Sequence, residues 1–415
     1  MSNLAILGGT PIGKTFAPQW PIVGQEEIDA VTEVVKSGKW GTDGPKQVEF
    51  EQVFSQYCGA PYGIMMTNGT HTLRLALEAL GIGPGDEVIV PAVTWQATAS
   101  SVLDVNAVPV LVDIDPESYT IDPKAVEAAI TARTKAIIPV HVFCRVCDMD
   151  ALRAIAKKHD LYIIEDCAHQ HGSEWLGQKV GTIGDIGSFS FQASKILTTG
   201  EGGMCITGSK DLYDKMYSLK NCGRETYPGS PALQSGNYRC NEFAAALGIT
   251  QLARLDAQNA LRHQNALYLE QELSKIDGLT PLRRDDRVTN QTYFHFYMRY
   301  DQSKWRDVPR KFLNRAIMAE LEKSLLIRYP YESLDNSPLY HPFTKKTHKL
   351  SDDYCAAINP ARFDLPVATR VSRQEGFGLF HTHLLAEKSE LDKIIAAFHK
   401  LHDNLDELVQ VAQNG

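Results

Sequence analysis

The spacing of apolar residues predicts alternating helices and short strands between Pro61 and about Thr207. Thr70–Leu80 has apolar residues at helical spacing, and a glycine-rich turn then leads into a strand at Val88–Pro91. Further strands are predicted at Val108–Val112, Ala136–Val140, a run ending at Asp166, Ile186–Phe191 and Met204–Thr207, and further helices at Ala97–Val105, within Pro123–Thr131 and at Asp150–Lys158. This alternation is typical of an α/β domain with a mainly parallel sheet and flanking helices.

The pattern changes after a long helical stretch from Cys240 to about Ile276. Strand-like Tyr293–Tyr300, a helix near Arg310–Leu325 and an amphipathic helix over Ser389–Val411 predict a smaller α+β domain. We therefore predict a large domain over residues 1–255, including an N-terminal arm, and a small domain over residues 256–415.

Composition narrows the classes of partner. The formal charge of −8 over 415 residues is spread along the chain, which argues against nucleic acid. The first residues lack a signal-peptide pattern and no apolar window is long enough to cross a bilayer, so we expect a cytoplasmic protein without a membrane partner. The eight cysteines are mostly isolated. Cys144 and Cys147 have redox-motif spacing, but no second pair completes a zinc site, and we predict no metal.

Polar residues follow four of the predicted strands, where α/β sheets bind ligands. Gly69, Thr70 and His71 open a helix whose free N–H groups suit a phosphate, although a simple helix cap explains the same residues. Trp95, a few residues past a strand, offers a ring for stacking on a flat heterocycle, although ordinary packing is the commoner role.

Two ionisable residues occupy the other strand ends. Asp166 ends an apolar strand, and a buried carboxylate there needs a partner such as a protonated pyridine nitrogen. Lys195 lies between an apolar strand and a glycine cluster, where desolvation would lower the pKa of its amine as imine formation requires. A phosphate cradle, a stacking ring, an anion and an amine on one sheet together match pyridoxal 5'-phosphate (PLP).

At this point the sequence resembles the DegT/DnrJ/EryC1/StrS sugar aminotransferases, which have the aspartate-aminotransferase fold (PLP fold type I). The resemblance runs almost end to end and is carried by TNGTHTLRLALEALGIGPGDEVIVPAVTW, IIEDCAHQHGS, GSFSFQASKILTTGEGGM and GNYRCNEFAAALGITQL. It implies a PLP-dependent aminotransferase that is a homodimer with shared active sites.

The resemblance also implies roles for individual residues. Lys195 would be the Schiff-base lysine, Asp166 the partner of the pyridine nitrogen, and Trp95 the residue stacked on the ring. The other implied cofactor contacts are Gly69, Thr70, His71 and Ser190 at the phosphate, His169 near the ring hydroxyl, and Asn237, which would reach the phosphate from the partner subunit. Cys144 and His71 depart from the residues common in the family, whereas the lysine is kept and argues against the family's dehydratase branch.

For the acceptor, FSFQ-x-SK-x-LT-x-GEGG and TW-x-AT resemble the L-glutamine:scyllo-inosose and 2-deoxy-scyllo-inosose aminotransferases of aminocyclitol antibiotic biosynthesis. We therefore expect transfer from L-glutamine or L-glutamate to the ketone of a cyclitol or sugar. A 3-amino-5-hydroxybenzoate synthase-like enzyme, a nucleotide-keto-sugar aminotransferase and a non-catalytic regulator remain alternatives. Candidate substrate contacts are Trp40, Arg239, Tyr329 and His383; alternation as in a strand would turn only one of His381 and His383 to any one side.

Overall fold

A computed structural model describes residues 2–413. Its strands are β1 (Tyr62–Met66), β2 (Glu87–Pro91), β3 (Val108–Val112), β4 (Thr134–Ile137), β5 (Tyr162–Asp166), β6 (Glu174–Trp175), β7 (Gln178–Lys179), β8 (Ile186–Ser190), β9 (Gly203–Thr207), β10 (Leu279–Pro281), β11 (Val288–Asn290), β12 (His295–Tyr300), β13 (Ile327–Arg328) and β14 (Gly376–Phe380). Its α-helices are α1 (Gln25–Ser37), α2 (Pro45–Cys58), α3 (Gly69–Ala79), α4 (Ala97–Asp104), α5 (Pro123–Ala129), α6 (Met149–His159), α7 (Lys210–Lys220), α8 (Glu242–Ala253), α9 (Leu255–Leu273), α10 (Arg310–Glu320), α11 (Asp352–Ala357), α12 (Pro366–Arg370), α13 (Lys388–Asp403) and α14 (Leu405–Gln413).

The large sheet has seven strands in the order β1-β9-β8-β5-β4-β2-β3. The neighbours from β8 through β5, β4 and β2 to β3 pair in parallel, whereas β9 is antiparallel to both β8 and β1. Strands β2, β3, β8 and β9 are buried along their whole length, as expected when helices cover both faces. The predicted α/β fold with a mainly parallel sheet is confirmed.

Several boundaries depart from the sequence prediction. Strand β4 ends at Ile137 instead of Val140, and Val140 forms only an isolated bridge with Asp166, because Pro139 has no N–H to donate. The C-terminal helix predicted over Ser389–Val411 is divided into α13 and α14. The long helix predicted from Cys240 is two helices, α8 and α9, separated at Arg254. The guanidinium of Arg254 contacts Glu27 and the carbonyl of Ile22, which ties this break to the start of α1.

A second sheet forms the C-terminal part, with the order β10-β12-β14-β13. Its pairings are antiparallel, α10, α13 and α14 pack on one another, and Phe398 of α13 packs against Phe377 of β14, in agreement with a smaller α+β unit. The N-terminal arm contacts this unit: Ser2 bonds to Glu407, and the Ala5 N–H donates to Glu320. The boundary at residue 255 stays a prediction. Within residues 2–413, no helix combines the length and the apolar character that crossing a bilayer demands.

The strand alternation predicted for His381 and His383 is wrong. Strand β14 ends at Phe380, and residues His381–Leu385 form a 3-10 helix instead. Both histidines are buried there. Residues two apart would share one face of a strand, whereas in a 3-10 helix, with three residues per turn, they lie on different sides.

Candidate active site

A cavity of about 530 Å³ lies at the carboxyl ends of the parallel strands. Its walls come from the start of α3, the segment after β2, the ends of β5 and β8, and two segments of the C-terminal half. The predicted residues that line it are Gly69, Thr70, Trp95, Asp166, His169, Ser190 and Lys195. The structure therefore brings together most of the residues expected to bind a cofactor.

The loop that carries Lys195 is held at three points. The Lys195 N–H donates to the Gln192 carbonyl at 2.8 Å. The indole N–H of Trp20 donates to the Ala193 carbonyl at 3.0 Å, and Nε2 of His381 lies 3.1 Å from the Ser194 carbonyl. These contacts fix the backbone from which the lysine side chain enters the cavity.

The Lys195 amine lies in an apolar setting. Its Nζ is 4.3 Å from the centroid of the Phe294 ring. Burial lowers its pKa to about 8, although the Asp166 carboxylate opposes that change by favouring the charged amine. A lysine in this state has a substantial neutral fraction near physiological pH, which a nucleophile or base requires.

Asp166 ends β5 with its carboxylate anchored on both oxygens. The Thr98 hydroxyl donates to Oδ2 at 3.0 Å, and the Ala168 N–H donates to Oδ1 at 3.2 Å. Burial raises the pKa of Asp166 above its ordinary value, against the lowering effect of these hydrogen bonds and of the Lys195 charge. A buried carboxylate of raised basicity is suited to a cationic N–H partner.

Behind Asp166, Glu165 points to the other face of β5. Its carboxylate accepts the N–H groups of Gly181, Ile183 and Gly184 at 2.7–2.8 Å. Cys147 N–H donates to His141 Nδ1, so neutral His141 carries its proton on Nε2 and donates it to Glu165 at 3.0 Å. Although His141, Glu165 and Cys167 lie within metal-binding range, the imidazole nitrogens are already used, and the cluster supports the strand.

The first turn of α3 forms a cradle beside Ser190. Asn68 caps the helix by accepting the His71 N–H at 2.9 Å, which leaves the earlier N–H groups without partners inside the helix. A Cβ at Gly69 would lie only 2.7 Å from the Ser190 Cβ, so glycine is needed for the close approach of α3 to β8. Helix N–H groups and two hydroxyls at one point suit a phosphate.

His169 and Tyr331 form a polar pair on the cavity wall. The Phe143 N–H donates to His169 Nδ1 at 3.0 Å, and Nε2 lies 3.2 Å from the Tyr331 hydroxyl. Burial and the Lys195 charge hold the pKa of His169 well below its ordinary value, so the ring is neutral. Trp95, about half exposed in the single chain, packs at 5.9 Å from the Tyr331 ring.

Two predicted cofactor contacts lie outside this cavity. The His71 ring turns away, with Nδ1 2.6 Å from the Thr67 hydroxyl and the ring in a T-shaped contact with Tyr238. Asn237 uses its side-chain oxygen to accept from the N–H and Nε of Arg239. Within one chain, neither side chain contributes to the cavity lining.

The four candidate substrate contacts also lie outside the cavity lining of this chain. Trp40 is about half exposed and donates to the Val34 carbonyl. Tyr329 is likewise exposed, and its ring lies under the Arg310 guanidinium. His383 is buried, where Nε2 accepts the Leu326 N–H and burial lowers its pKa to about 4. Arg239 bonds to Asn237 as described, so the structure does not assemble these four into a substrate site.

Several cavity residues were not predicted from the sequence. Thr98 lies one helical turn after Thr94 in the TWQAT segment, so this spacing could have placed Thr98 at the same edge of the sheet. Phe294 and Tyr331 come from the C-terminal half, where no local signal marks them. Gln192 and Glu201 flank the lysine loop and add an amide and a carboxylate to the lining.

Comparison with known proteins gives three kinds of match. The model of the DegT/DnrJ/EryC1/StrS aminotransferase family matches residues 21–374. The L-glutamine:2-deoxy-scyllo-inosose aminotransferase of Streptoalloteichus tenebrarius is 40% identical over 416 residues, covering 96% of this chain and 97% of the relative. A solved 3-amino-5-hydroxybenzoic acid synthase is 32% identical with a TM-score of 0.80 and covers 93% of this chain and 99% of its own.

A further solved structure bears on the cofactor. It is a sugar aminotransferase of Streptococcus pneumoniae described as a PLP form, 28% identical to this chain with a TM-score of 0.78. The match covers 94% of this chain and 100% of the neighbour. These neighbours share the PLP fold type I, in agreement with the sheet order and the cavity described above.

Proposed function

This chain belongs to the DegT/DnrJ/EryC1/StrS aminotransferase family and is a PLP-dependent aminotransferase, and from that premise we propose that it binds PLP in the cavity and transfers an amino group from L-glutamine to the ketone of a cyclitol. The observation that carries the proposal is that a partly buried amine, Lys195, and a buried carboxylate, Asp166, line one cavity at the strand ends.

The residues present fit the cofactor. Gly69, Thr70 and Ser190 would hold the phosphate, because their helix N–H groups and hydroxyls converge where a side chain on residue 69 would block access. Trp95 would stack on the ring, and Asp166 would accept a hydrogen bond from the protonated pyridine nitrogen. Lys195 would form the covalent link.

When bound, PLP supplies an electron-withdrawing ring that accepts the charge left by a departing proton. Lys195 would be the group that moves the proton: with a pKa near 8, its free neutral amine would accept the proton from Cα of the donor and deliver it to the cofactor, and it would act in the opposite direction when the ketone is aminated. Asp166 would keep the ring nitrogen protonated, and Thr98 and the Ala168 N–H hold that carboxylate in place. The Phe294 ring keeps water from the Lys195 amine.

An uncharged polyhydroxy ketone suits this lining as the acceptor. Among residues 2–413, Lys195 is the one basic lysine or arginine side chain on the cavity wall, whereas a nucleotide diphosphate calls for arginines or further lysines. Thr94, Gln192 and Glu201 instead offer hydroxyl, amide and carboxylate groups that hydrogen-bond sugar-like hydroxyls. The named relative acts on 2-deoxy-scyllo-inosose, a ketone of this kind.

We propose a homodimer in which each cavity is completed by its neighbour. Asn237 lies outside the cavity of its own chain, so a contact with the cofactor requires the partner subunit. Apolar side chains on and near α1 and α2 are about half or more exposed in the single chain: Val23, Ile28, Val35, Trp40 and Val48. Such a patch supports an interface between subunits.

The function is tested by the two half-reactions. Purified protein with PLP should lose its visible absorption when L-glutamine is added and recover it with a keto-cyclitol, and a panel of keto-cyclitols and nucleotide keto-sugars should rank the cyclitols first. Lys195→Ala should fold yet lose the covalent link and essentially all turnover. Asp166→Ala should keep the link but lose most of the rate of Cα proton removal. Normal turnover by Lys195→Ala would refute the assignment.

Sharing of sites is tested by complementation. Lys195→Ala and Asn237→Ala homodimers are each expected to be nearly inactive, since each site lacks one residue. When the two chains are co-expressed, half of the dimers should be mixed, and each mixed dimer regains one intact site, for about a quarter of wild-type activity. An inactive mixture would contradict the contribution of Asn237 from the neighbouring subunit.

A further inference from the structure

The proton positions of the His169 and Tyr331 pair are fixed by the backbone. Because the Phe143 N–H donates to Nδ1 of His169, that nitrogen must be unprotonated. Burial keeps the ring neutral, so its single proton lies on Nε2. His169 is therefore the donor in the 3.2 Å contact with Tyr331, and the tyrosine hydroxyl is the acceptor.

The hydroxyl proton of Tyr331 is consequently directed away from His169. Tyr331 lines the cavity, and among residues 2–413 no second hydrogen-bond partner of its hydroxyl is present. Burial and the nearby Asp166 charge raise the pKa of Tyr331, so the phenol stays protonated across the physiological range. The hydroxyl proton is therefore available to an oxygen atom of a ligand in the cavity.

Neighbouring rings pack against Tyr331 on the cavity wall. Phe143 lies 5.5 Å and Trp95 5.9 Å from the Tyr331 ring centroid. His169 itself is packed against Phe294 at 4.2 Å, the ring that also contacts the Lys195 amine. The phenol donor and the reacting amine therefore line one cavity, and a donor that is already in place is what preorganised stabilisation of charge requires.

We propose that Tyr331 is a catalytic residue, whose hydroxyl accepts from His169 and donates a hydrogen bond to a ligand oxygen in the cavity. The inference rests on the proposed function, since the ligand oxygen is either the phenolic oxygen of PLP or the oxygen of the keto acceptor. His169 is then a positioning residue: it acts through Tyr331 by occupying the lone pair of that hydroxyl.

The test compares Tyr331→Phe with Tyr297→Phe in the PLP-loaded enzyme. Tyr297 is the matched control, because its ring lies 4.4 Å from the same Phe143 and its buried hydroxyl has no partner among the described residues, yet it does not line the cavity. Each substitution removes one oxygen. Circular dichroism should first show the same fold for both variants and the wild type.

Two measurements distinguish the two ligand oxygens to which Tyr331 could donate. The first is the pH midpoint of the visible absorption of the loaded enzyme without substrate. If Tyr331 donates to the ring oxygen, that oxygen holds its proton more tightly in Tyr331→Phe, and the midpoint rises by about one pH unit, the equivalent of a charged hydrogen bond. If Tyr331 donates instead to the oxygen of the keto substrate, the pH midpoint is unchanged. In that case kcat/KM for the ketone falls about tenfold, while the L-glutamine half-reaction keeps its rate.

Either result supports the role of Tyr331, and two others overturn it. The role is wrong if Tyr331→Phe leaves the pH midpoint unchanged and also keeps kcat/KM for the ketone within about twofold of the wild type, far from the loss of one hydrogen bond. It is also wrong if Tyr297→Phe changes them equally, because the effect is then one of packing. A wild-type protein with neither visible absorption nor amino transfer would instead refute the proposed function, so the two failures are distinguishable.

Discussion

Replacing Lys195 by Met should stabilise the cofactor-free protein at neutral pH. In the folded chain the amine is buried beside Phe294, and its pKa falls from 10.5 to about 8. At pH 7 the folded protein therefore holds a desolvated ammonium that the unfolded chain solvates freely. Lys195→Met fills the same space with an uncharged side chain of similar length and removes that cost.

The expected size follows from the difference between the two pKa values. A fall from 10.5 to about 8 destabilises the folded state at pH 7 by about 3 kcal/mol, and at pH 10 by only about 1 kcal/mol. Between about pH 8 and pH 10.5 the unfolded chain binds more protons than the folded chain, so the stability of the wild type rises with pH in that window. The advantage of Lys195→Met over the wild type should shrink accordingly.

Urea denaturation at equal protein concentration, at pH 7 and at pH 10, measures the effect. The comparison of two variants at each pH cancels the titration of other groups. Lys220→Met is the matched control, because Lys220 is also a buried lysine but its Nζ lies 3.2 Å from Asp43 and 3.6 Å from Glu51. Burial lowers the pKa of Lys220, but these two carboxylates outweigh burial and raise it overall.

The two lysines should therefore behave oppositely. Lys220→Met loses an ion pair and should be less stable than the wild type, by an amount that hardly changes between pH 7 and pH 10, since both pKa values lie above that range. Lys195→Met should show an advantage that falls by about 2 kcal/mol over the same range. An advantage that is absent at pH 7, or that is independent of pH, would show that the Lys195 amine is not desolvated.

Three further substitutions probe the surroundings of the lysine. Thr98→Val removes the hydroxyl that donates to Asp166, and should lower kcat about tenfold, measured in the L-glutamine half-reaction. Gly69→Ala places a Cβ within 2.7 Å of Ser190, and should weaken PLP binding at least tenfold, on the order of one lost hydrogen bond to a charged group, measured by titration of visible absorption. Glu165→Gln leaves buried N–H donors poorly matched, and should lower the free energy of unfolding by about 3 kcal/mol in urea denaturation.

Each of these has a control nearby. Ser101→Ala removes a buried hydroxyl from the same helix as Thr98, one that bonds only the Thr98 carbonyl, and should leave kcat unchanged. Gly208→Ala adds a Cβ in open space and should not alter PLP binding. Glu174→Gln changes a partly exposed carboxylate paired with Lys179 and should cost well under 1 kcal/mol. A control that matches its test variant would show that the effect is not local to the site.

The residues predicted correctly to share the cavity are those set by local signals. Asp166 ends an apolar strand and Trp95 follows another, so the rule that parallel strands present their carboxyl ends together is enough to gather them, whereas the role of Ser190 comes from the family resemblance. Lys195 lies five residues after the end of β8, in the loop that directly follows this strand. Each position depends on a few neighbouring residues and on the topology of one sheet.

The positions that could not be predicted depend on packing between distant segments. Tyr331 reaches the cavity from the C-terminal half, 162 residues beyond the His169 to which it bonds. Tyr329, two residues earlier, was a candidate from its aromatic character but points to a different surface. His383 was judged as part of a strand, whereas the chain turns into a 3-10 helix directly after Phe380. No periodicity in one sequence encodes such long-range placement.

This division between local and distant residues has a consequence for specificity. Lys195 and Asp166 carry the amine chemistry, and their geometry is set by strands of the large sheet and by bonds to Thr98 and the lysine loop. Tyr331 belongs to a separate segment that makes none of those bonds. Substitutions in that segment should therefore change which ketone is accepted while amine exchange with L-glutamine persists, because they alter contacts to the acceptor and leave the group that moves the proton in place.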